Sequence, residues 1–291
     1  MYKKIDHALS QATYSFTQLG EDLQALEDTL TQSGLRVSGA GRFAEYKRCI
    51  ERATSHREGH VGVNDEDRGV LYRAMIETHE LCLIAEELGS GAEVPGWKEK
   101  TQIALGGKPV AGTQQHDHAR DIQFELYLAA VARRSGFEVR LDEPDVICLD
   151  EGWGRIALAA KRIQSEGKIE RHLRKASSQL EASGIPGLVA VDLTWAVADF
   201  GAAREGSSNE SIGQSLHNEV QGYVGDQAEK YSQQIDPRWA YAILVHVVAP
   251  CVIDGARLGR NRVLRWLNFR ESASQEGAAV LSFMKRLRWE G

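Results

Sequence analysis

Hydrophobic positions in the middle of the chain change their period several times, which predicts alternating helices and strands. Residues 119–135 combine helix-forming residues with apolar positions at helical spacing, and the pattern stops at Gly136. Residues 137–141 alternate apolar and polar side chains, as a half-buried strand does. Residues 167–183 are typical of a polar helix, and residues 187–193 of a buried strand. This segment therefore predicts an α/β fold in which helices flank a mixed central sheet.

Two further apolar runs, at 143–149 and 155–162, are separated by a turn-like Asp-Glu-Gly-Trp-Gly segment. Such a pair of runs predicts a β-hairpin. The hairpin would bring Asp145, at the start of its first strand, close to Lys161, at the end of its second. Side chains alternate along a strand, so Ala159 and Lys161 would share one face.

The flanks of this segment differ in their patterns. Residues 1–33, 42–55 and 67–89 carry apolar residues at helical spacings, so residues 1–105 are expected to be mainly helical. A Gly-Gly-Lys-Pro turn then marks a boundary. We expect an accessory or oligomerisation region over residues 1–110 and a second domain over residues 111–291.

Two patterns follow the buried strand. Residues 201–225 are rich in Gly, Ser, Asn and Glu, which predicts a mobile loop or a weak helix. Residues 239–249 form a strongly β-prone run that ends at Pro250 and would extend the sheet. His246 in this run is expected to be a core histidine.

The residue types in the hairpin suit phosphodiester hydrolysis. That reaction needs a hard cation that neutralises the phosphoryl oxygens and lowers the pKa of an attacking water. Asp145 and an acid at position 159 would hold the metal, and Lys161 would orient the nucleophile. Ala159 lacks the carboxylate that this chemistry requires. Taken singly, Asp145 would be a turn residue and Lys161 an edge-strand charge.

Together these residues resemble the PD-(D/E)XK nuclease superfamily, with its restriction-endonuclease-like fold. Pro144-Asp145 matches the first half-motif, and Ala159-Ala160-Lys161 stands where Asp/Glu-X-Lys is expected. The superfamily core runs helix, three antiparallel strands, helix, strand, and its first helix commonly carries a metal-proximal Glu, which Glu125 matches. The resemblance implies a DNA endonuclease that uses Mg²⁺, or Mn²⁺ in its place, with Asp145 and Glu125 as metal ligands and Lys161 as a catalytic residue. The sequence that flanks Glu125 and Lys161 resembles that of restriction and phage-defence members of the superfamily.

Ala159 has three explanations. The chain is a native degenerate nuclease that acts in nucleic-acid binding or complex assembly, or the acid has moved to Glu125, Glu166 or Glu170, or an active enzyme has been deliberately inactivated. We favour an engineered change, because Asp145 and the other motif residues are intact. On this interpretation the chain itself is nearly inactive.

Charge is unevenly distributed along the chain, which has a formal net charge of −6. Residues 1–118 have a balance of −5, and residues 238–291 a balance of +5. A basic segment can contact phosphates even in an acidic protein. The candidate DNA contacts are Arg162, Gln179, Arg260, Arg262 and Arg265. The alternative for the C-terminal arginines is a solvated basic face of an amphipathic strand or helix.

Association is expected through residues 1–105, as a homodimer or with a protein partner, because cutting both strands of a duplex usually needs two active sites. The 291 residues include neither an 18-residue apolar run nor a signal-peptide pattern, so we expect a cytoplasmic protein without a membrane partner. The four cysteines are scattered and are expected to be mostly buried thiols. A small-molecule enzyme ranks third among the possible functions. The sequence has neither the dinucleotide fingerprint nor the Gly-x-Ser-x-Gly motif that would favour such an enzyme.

Overall fold

A computed structural model describes residues 3–55, 65–89, 94–108, 117–150, 154–197, 200–254, 257–269 and 275–289. Its strands are β1 Lys3–Tyr14, β2 Glu138–Arg140, β3 Val146–Asp150, β4 Gly154–Arg162, β5 Gly187–Asp192, β6 Arg204–Gly206, β7 Ala240–Ile253 and β8 Arg257–Asn268. Its α-helices are α1 Phe16–Gln32, α2 Arg42–Ser55, α3 Asp65–Gly89, α4 Trp97–Ala104, α5 His118–Arg134, α6 Ile169–Ser183, α7 Asn209–Ser232 and α8 Gln275–Arg286.

The strands form one mixed sheet in the order β1-β8-β7-β5-β4-β3-β2, with β6 beside β7. The pairs β2-β3, β3-β4, β7-β8 and β8-β1 are antiparallel, and β5 is parallel to both β4 and β7. A parallel neighbour requires a crossover, and α6 supplies it between β4 and β5. The expected α/β class with a mixed sheet and flanking helices is confirmed.

The elements predicted for the middle of the chain are present. The helix predicted at 119–135 is α5, and the strand predicted at 187–193 is β5. The helix predicted at 167–183 corresponds to α6 and ends at the same residue. The hairpin is formed by β3 and β4, although residues 151–153 of its turn lie outside the described residues. The predicted domain boundary between residues 110 and 111 falls within residues 109–116, which also lie outside them.

One expectation about the flanks is wrong. The segment Lys3–Tyr14 is a strand and not a helix, and it pairs with β8 at the edge of the sheet. Residues 201–225 were expected to form a mobile loop or a weak helix, and helix α7 covers most of them. Its buried residues Ile212, Leu216 and Val220 recur every four positions, so they form one apolar face against the sheet.

Apolar residues pack on both faces of the sheet. On one face, residues from α1 to α5 and from α8 share a single cluster with the strands, while α6 and α7 cover the other face. The helices before residue 105 therefore bury their apolar faces against the same core as α5 and the sheet. The division near residue 110 into two functional parts stays a prediction.

Two smaller expectations concern membranes and cysteines. None of the helices in the described part of the chain is long and apolar enough to cross a membrane. All four cysteines are free thiols: Cys49, Cys148 and Cys251 are buried, and Cys82 is partly exposed. The prediction that most are buried apolar thiols is confirmed.

Candidate functional site

Asp145 and Lys161 form an ion pair at one end of the sheet. The Lys161 Nζ atom lies 3.0 Å from Asp145 Oδ2, and the same carboxylate oxygen accepts a hydrogen bond of 2.7 Å from the backbone N–H of Ala160. Lys161 Nζ also donates to the carbonyl oxygen of Ala160 at 2.6 Å. The ammonium and the carboxylate are both largely buried. The hairpin therefore brings together the two residues that its sequence pattern singled out.

Strand register explains this arrangement. Val146 of β3 pairs with Leu158 of β4 in an antiparallel ladder, so the next step places Asp145 beside position 159. Lys161 lies two residues further along β4 and shares the face of position 159. The site lies where β4 ends and β3 begins.

Glu125 on α5 supplies a second carboxylate near this pair. Burial raises the pKa of Asp145, Lys161 lowers it and Glu125 raises it, with a net result of about 6. The influence of Glu125 shows that the two carboxylates are within electrostatic range. Glu125 Oε2 is itself 2.8 Å from Lys100 Nζ on α4. The site thus contains two carboxylates and two ammonium groups, an arrangement in which each acid has a cation beside it.

Ala159 is fully buried and belongs to the apolar cluster beneath α6 and α7. Two of the alternative acids have other partners. Tyr223 donates a hydrogen bond of 2.9 Å to Glu166, and Glu170 forms an ion pair of 2.9 Å with Lys230. Glu125 is consequently the alternative acid that acts electrostatically on Asp145.

Arg162 follows Lys161 but points into the protein. Its Nε donates to Asp192 Oδ2 at 2.7 Å, and its Nη2 donates to both carboxylate oxygens of Glu80, at 2.8 and 3.0 Å. Burial by itself raises the pKa of Asp192, but Arg162 and His246 lower it well below its usual range. Arg162 is 5% exposed, so a contact between its guanidinium and DNA requires a rearrangement and stays a prediction. Arg162 joins α3 to β4 and β5.

The C-terminal arginines do not form the solvent-facing basic surface that we expected. Arg260, Arg262 and Arg265 of β8 are all at most 5% exposed. The Arg262 guanidinium lies over the ring of Tyr127 and donates a hydrogen bond of 2.6 Å to the carbonyl oxygen of Trp289. These three residues cannot contact a nucleic acid at the protein surface without rearrangement. They are buried because α7 packs on one face of β8, while Tyr127 of α5 and the backbone of Trp289 lie against Arg262 on the other.

Gln179, the remaining candidate DNA contact, is half-buried on α6. Its side-chain oxygen is buried and accepts no hydrogen bond from the part of the chain that the structure describes. Its contact with DNA stays a prediction.

Several charged residues around the site carried no motif in the sequence. Lys100 lies in a short helix whose pattern only indicated α-helix, and Glu80 lies among apolar residues of α3. Asp192 had the clearest signal, because an acid that closes a fully apolar strand requires a buried partner. That signal predicts a partner but not its identity.

The donor set fits a hard divalent cation held largely by water and substrate. No group of three or more His, Cys, Asp or Glu side chains that could hold a metal occurs among the described residues. However, Mg²⁺ in phosphate-processing sites is often bound by only one or two carboxylates together with waters and substrate oxygens. Asp145 and Glu125 provide two such carboxylates.

Comparison with known proteins adds no assignment: no family model, no curated protein and no solved structure matches this chain.

Proposed function

We propose that this protein is a metal-dependent DNA endonuclease of the restriction-endonuclease-like type, acting in bacterial restriction or phage defence. The observation that carries the proposal is the 3.0 Å contact between Lys161 and Asp145, with the Glu125 carboxylate in electrostatic range. The contact lies in a unit that runs helix, three antiparallel strands, helix, strand, which is the order expected for that superfamily.

Each residue has a defined role in this proposal. Asp145 and Glu125 would hold Mg²⁺, which supplies a positive charge for the phosphoryl oxygens and a bound water of lowered pKa. Lys161 would hold the attacking water or stabilise the negative charge that develops on the phosphate. Lys100 forms an ion pair of 2.8 Å with Glu125, and a divalent cation held by Glu125 would take the place of this ammonium. A pair of such proteins, associated through residues 1–105, would present one site to each strand of a duplex.

A second candidate is a nuclease-fold protein without catalysis, which binds nucleic acid or assembles a complex. The specific observation in its favour is Ala159. That residue fills its place in an apolar cluster with no exposure, so alanine has a packing role there. The two lysines also neutralise the remaining acids.

Plasmid cleavage tests the proposal. Wild-type protein is incubated with supercoiled DNA and Mg²⁺ or Mn²⁺, beside Asp145→Asn, Lys161→Met and Glu125→Gln. Because Glu125 supplies the second carboxylate in this proposal, we expect cleavage by the wild type, unlike the near inactivity that an engineered Ala159 predicts. Each variant should lose at least about 100-fold, as for a removed catalytic group. Glu138→Gln is the matched control, because Glu138 is an exposed acid on β2. Thermal melts establish that each variant is folded.

Ala159→Glu decides between the remaining explanations. An inactive wild type with an active Ala159→Glu variant would show that the chain lacks only the acid at position 159, as an engineered inactivation implies. Activity in the wild type that depends on Glu125 would show that the acid has moved to α5. If folded forms of both proteins bind DNA and cut none of it, the non-catalytic candidate replaces the enzyme.

Sedimentation tests the proposed association. A dimer at micromolar concentration, or a partner recovered through residues 1–105, is the expected result. A strict monomer that still cuts both strands would contradict the two-site arrangement.

A further inference from the structure

Arg73 on α3 is a cation without a matching anion. Within the described residues its guanidinium forms no ion pair or hydrogen bond, and its buried Nη1 atom has no partner. The nearby arginines differ, because Arg42, Arg120 and Arg162 each bind Glu77 or Glu80. A guanidinium that has lost part of its water shell without gaining an acceptor is costly for the folded protein.

The guanidinium of Arg73 packs on the indole of Trp195. Its Cζ atom lies 4.0 Å from the ring centroid, a close cation–π contact. Trp195 follows β5 in the loop that begins after Asp192, and Gly201 holds the indole in place. A Cβ atom at Gly201 would lie 2.7 Å from Trp195 Cε3 and 2.6 Å from the carbonyl oxygen of Thr194. The indole is therefore a fixed support that orients the planar guanidinium.

This pair lies at the same edge of the sheet as the candidate active site. Arg162 pairs with Asp192 in the parallel register of β4 and β5, so these two strands end at the same level. The loop that carries Trp195 continues from this end beside β7, where Thr194 Oγ1 accepts a hydrogen bond of 3.0 Å from the Val248 N–H. Arg73 and Trp195 are both partly exposed, and solvent therefore reaches them. In parallel β-strands the carboxyl-terminal edge is where ligands commonly bind.

The charges around Arg73 include both signs. Burial lowers the pKa of its guanidinium, Glu77 raises it, and the cations Arg120 and Arg162 lower it. Glu77 already accepts hydrogen bonds from Arg42, Arg120 and Tyr46. The hydrogen-bonding capacity of Glu77 is therefore filled by other groups, and the N–H donors of Arg73 stay available to an external anion.

We propose that Arg73, oriented by Trp195, binds a phosphate of the nucleic-acid strand whose scissile phosphate lies at Asp145 and Lys161. An arginine with a fixed plane presents paired N–H donors that match phosphate oxygens. Trp195 is a positioning residue in this arrangement, because it acts through Arg73. The inference rests on the proposed nuclease function and identifies a substrate contact that the N-terminal helices supply to that site.

The test measures binding of a short DNA duplex as a function of salt, with Ca²⁺ in place of Mg²⁺ and gels to confirm that the DNA stays intact. Arg73→Met is expected to lower affinity by at least about tenfold and to reduce the slope of log affinity against log salt by about 0.9, the contribution of one phosphate contact. Arg73→Lys keeps the charge without the planar fork, so it should recover the slope and only part of the affinity.

Two variants serve as controls. Arg238→Met removes an exposed arginine that is ion-paired with Asp236, so it changes net charge equally without touching the site. Trp239→Phe is the control for Trp195→Leu, because it alters another partly buried tryptophan away from Arg73. Trp195→Leu should weaken binding while leaving the salt slope nearly unchanged, because the charge remains and only its orientation is lost.

The outcomes separate this inference from the proposed function. Cleavage by the wild type together with an unchanged affinity and salt slope in a folded Arg73→Met protein would overturn the phosphate contact and leave the nuclease intact. Binding that depends on Arg73 without cleavage in Mg²⁺ or Mn²⁺ would retain the contact and reject the enzyme. A lower melting temperature in Arg73→Met with unaltered DNA affinity would assign Arg73 a structural role only. Failure of the wild type to bind DNA would overturn both.

Discussion

Buried charge is the dominant feature at the scale of single residues. Glu77 accepts hydrogen bonds from Arg42 Nη1 at 2.7 Å, Arg120 Nε at 2.6 Å and Tyr46 Oη at 2.5 Å, and all four side chains are buried. A buried ion is tolerated when its hydrogen-bonding capacity is filled, and removing one partner leaves an uncompensated charge. The network therefore fixes the relative positions of α2, α3 and α5, and its stability depends on the ionised form of Glu77.

The lowered pKa of Glu77 should be visible in the pH dependence of the protein's stability. Burial by itself raises the pKa of Glu77, but Arg120 and Arg42 lower it by more than burial raises it. The resulting pKa is about 2, compared with the usual 4.5. Between these values the unfolded chain binds the proton and the folded chain does not, so stability falls as pH decreases from about 4.5 to about 2. The contribution lost is about 3 kcal/mol, at about 1.4 kcal/mol per pKa unit.

Urea unfolding at a series of pH values measures this effect. Glu77→Gln should be less stable than the wild type at pH 6, and the difference should shrink by about 3 kcal/mol towards pH 2. Glu138→Gln, at an exposed acid, provides the baseline for general acid effects. A difference between wild type and Glu77→Gln that is constant with pH would contradict the lowered pKa.

At the scale of elements, the central segment could be predicted because its local patterns agree with its tertiary environment. Strand β5 is apolar throughout until Asp192, and it is buried on both faces, so composition alone indicated its place. Helix α7 could be predicted only as a weak helix or a loop, because Gly213, Gly222 and several serines resemble a loop, although its apolar residues recur every four positions. Strand β1 was missed because its partner, β8, lies more than 240 residues away in sequence. A local pattern does not contain such a pairing.

The candidate site likewise has features that could be predicted from the sequence and features that could not. Asp145 and Lys161 could be predicted to meet, because hairpin register depends on local sequence and strand parity. The burial of Arg260 and Arg262 could not, since arginine in an alternating strand usually faces water. Only the packing of α7 on one face of β8 and of α5 on the other removes these side chains from solvent.

Packing between β4 and β5 gives a prediction at this scale. A Cβ atom at Gly187 would lie 1.8 Å from the carbonyl oxygen of Ala157, and backbone on both strands would have to move. Gly187→Ala should therefore destabilise the protein by at least about 3 kcal/mol. Gly222→Ala is the matched control, because a Cβ there meets nothing within 4 Å and α7 should gain about 0.5–1 kcal/mol in helix propensity.

Chemical denaturation of both variants provides the measurement. The free energy of unfolding is expected to decrease in Gly187→Ala and to increase in Gly222→Ala. Equal stability of Gly187→Ala and the wild type would show that the β4–β5 register differs from the one described. The same result would weaken the placement of Lys161, whose position opposite Val191 follows from the same β4–β5 register.

At the scale of the whole molecule, the two ends of the chain meet in one sheet. Strand β1 pairs with β8 along nearly its whole length, and the helices α1 to α4 share an apolar cluster with α5, α8 and the sheet. The acidic N-terminal half and the basic C-terminal end are thus joined through a common interior, where several of the positive charges are buried. We expect this interior to unfold as one unit.

Two tryptophans report on opposite parts of that interior. Trp97 on α4 is 1% exposed, Trp266 on β8 is 6% exposed, and both belong to the same cluster. In protein labelled with 5-fluorotryptophan, their native resonances, assigned through Trp97→Phe and Trp266→Phe, should disappear at the same urea concentration. Loss of the α4 side of the cluster would expose the apolar face of α5 and the ion pairs of α3, so the sheet should not remain folded without it. Disappearance of the Trp97 signal at a clearly lower urea concentration than the Trp266 signal would contradict this. It would show instead that residues 1–110 unfold as a separate accessory region.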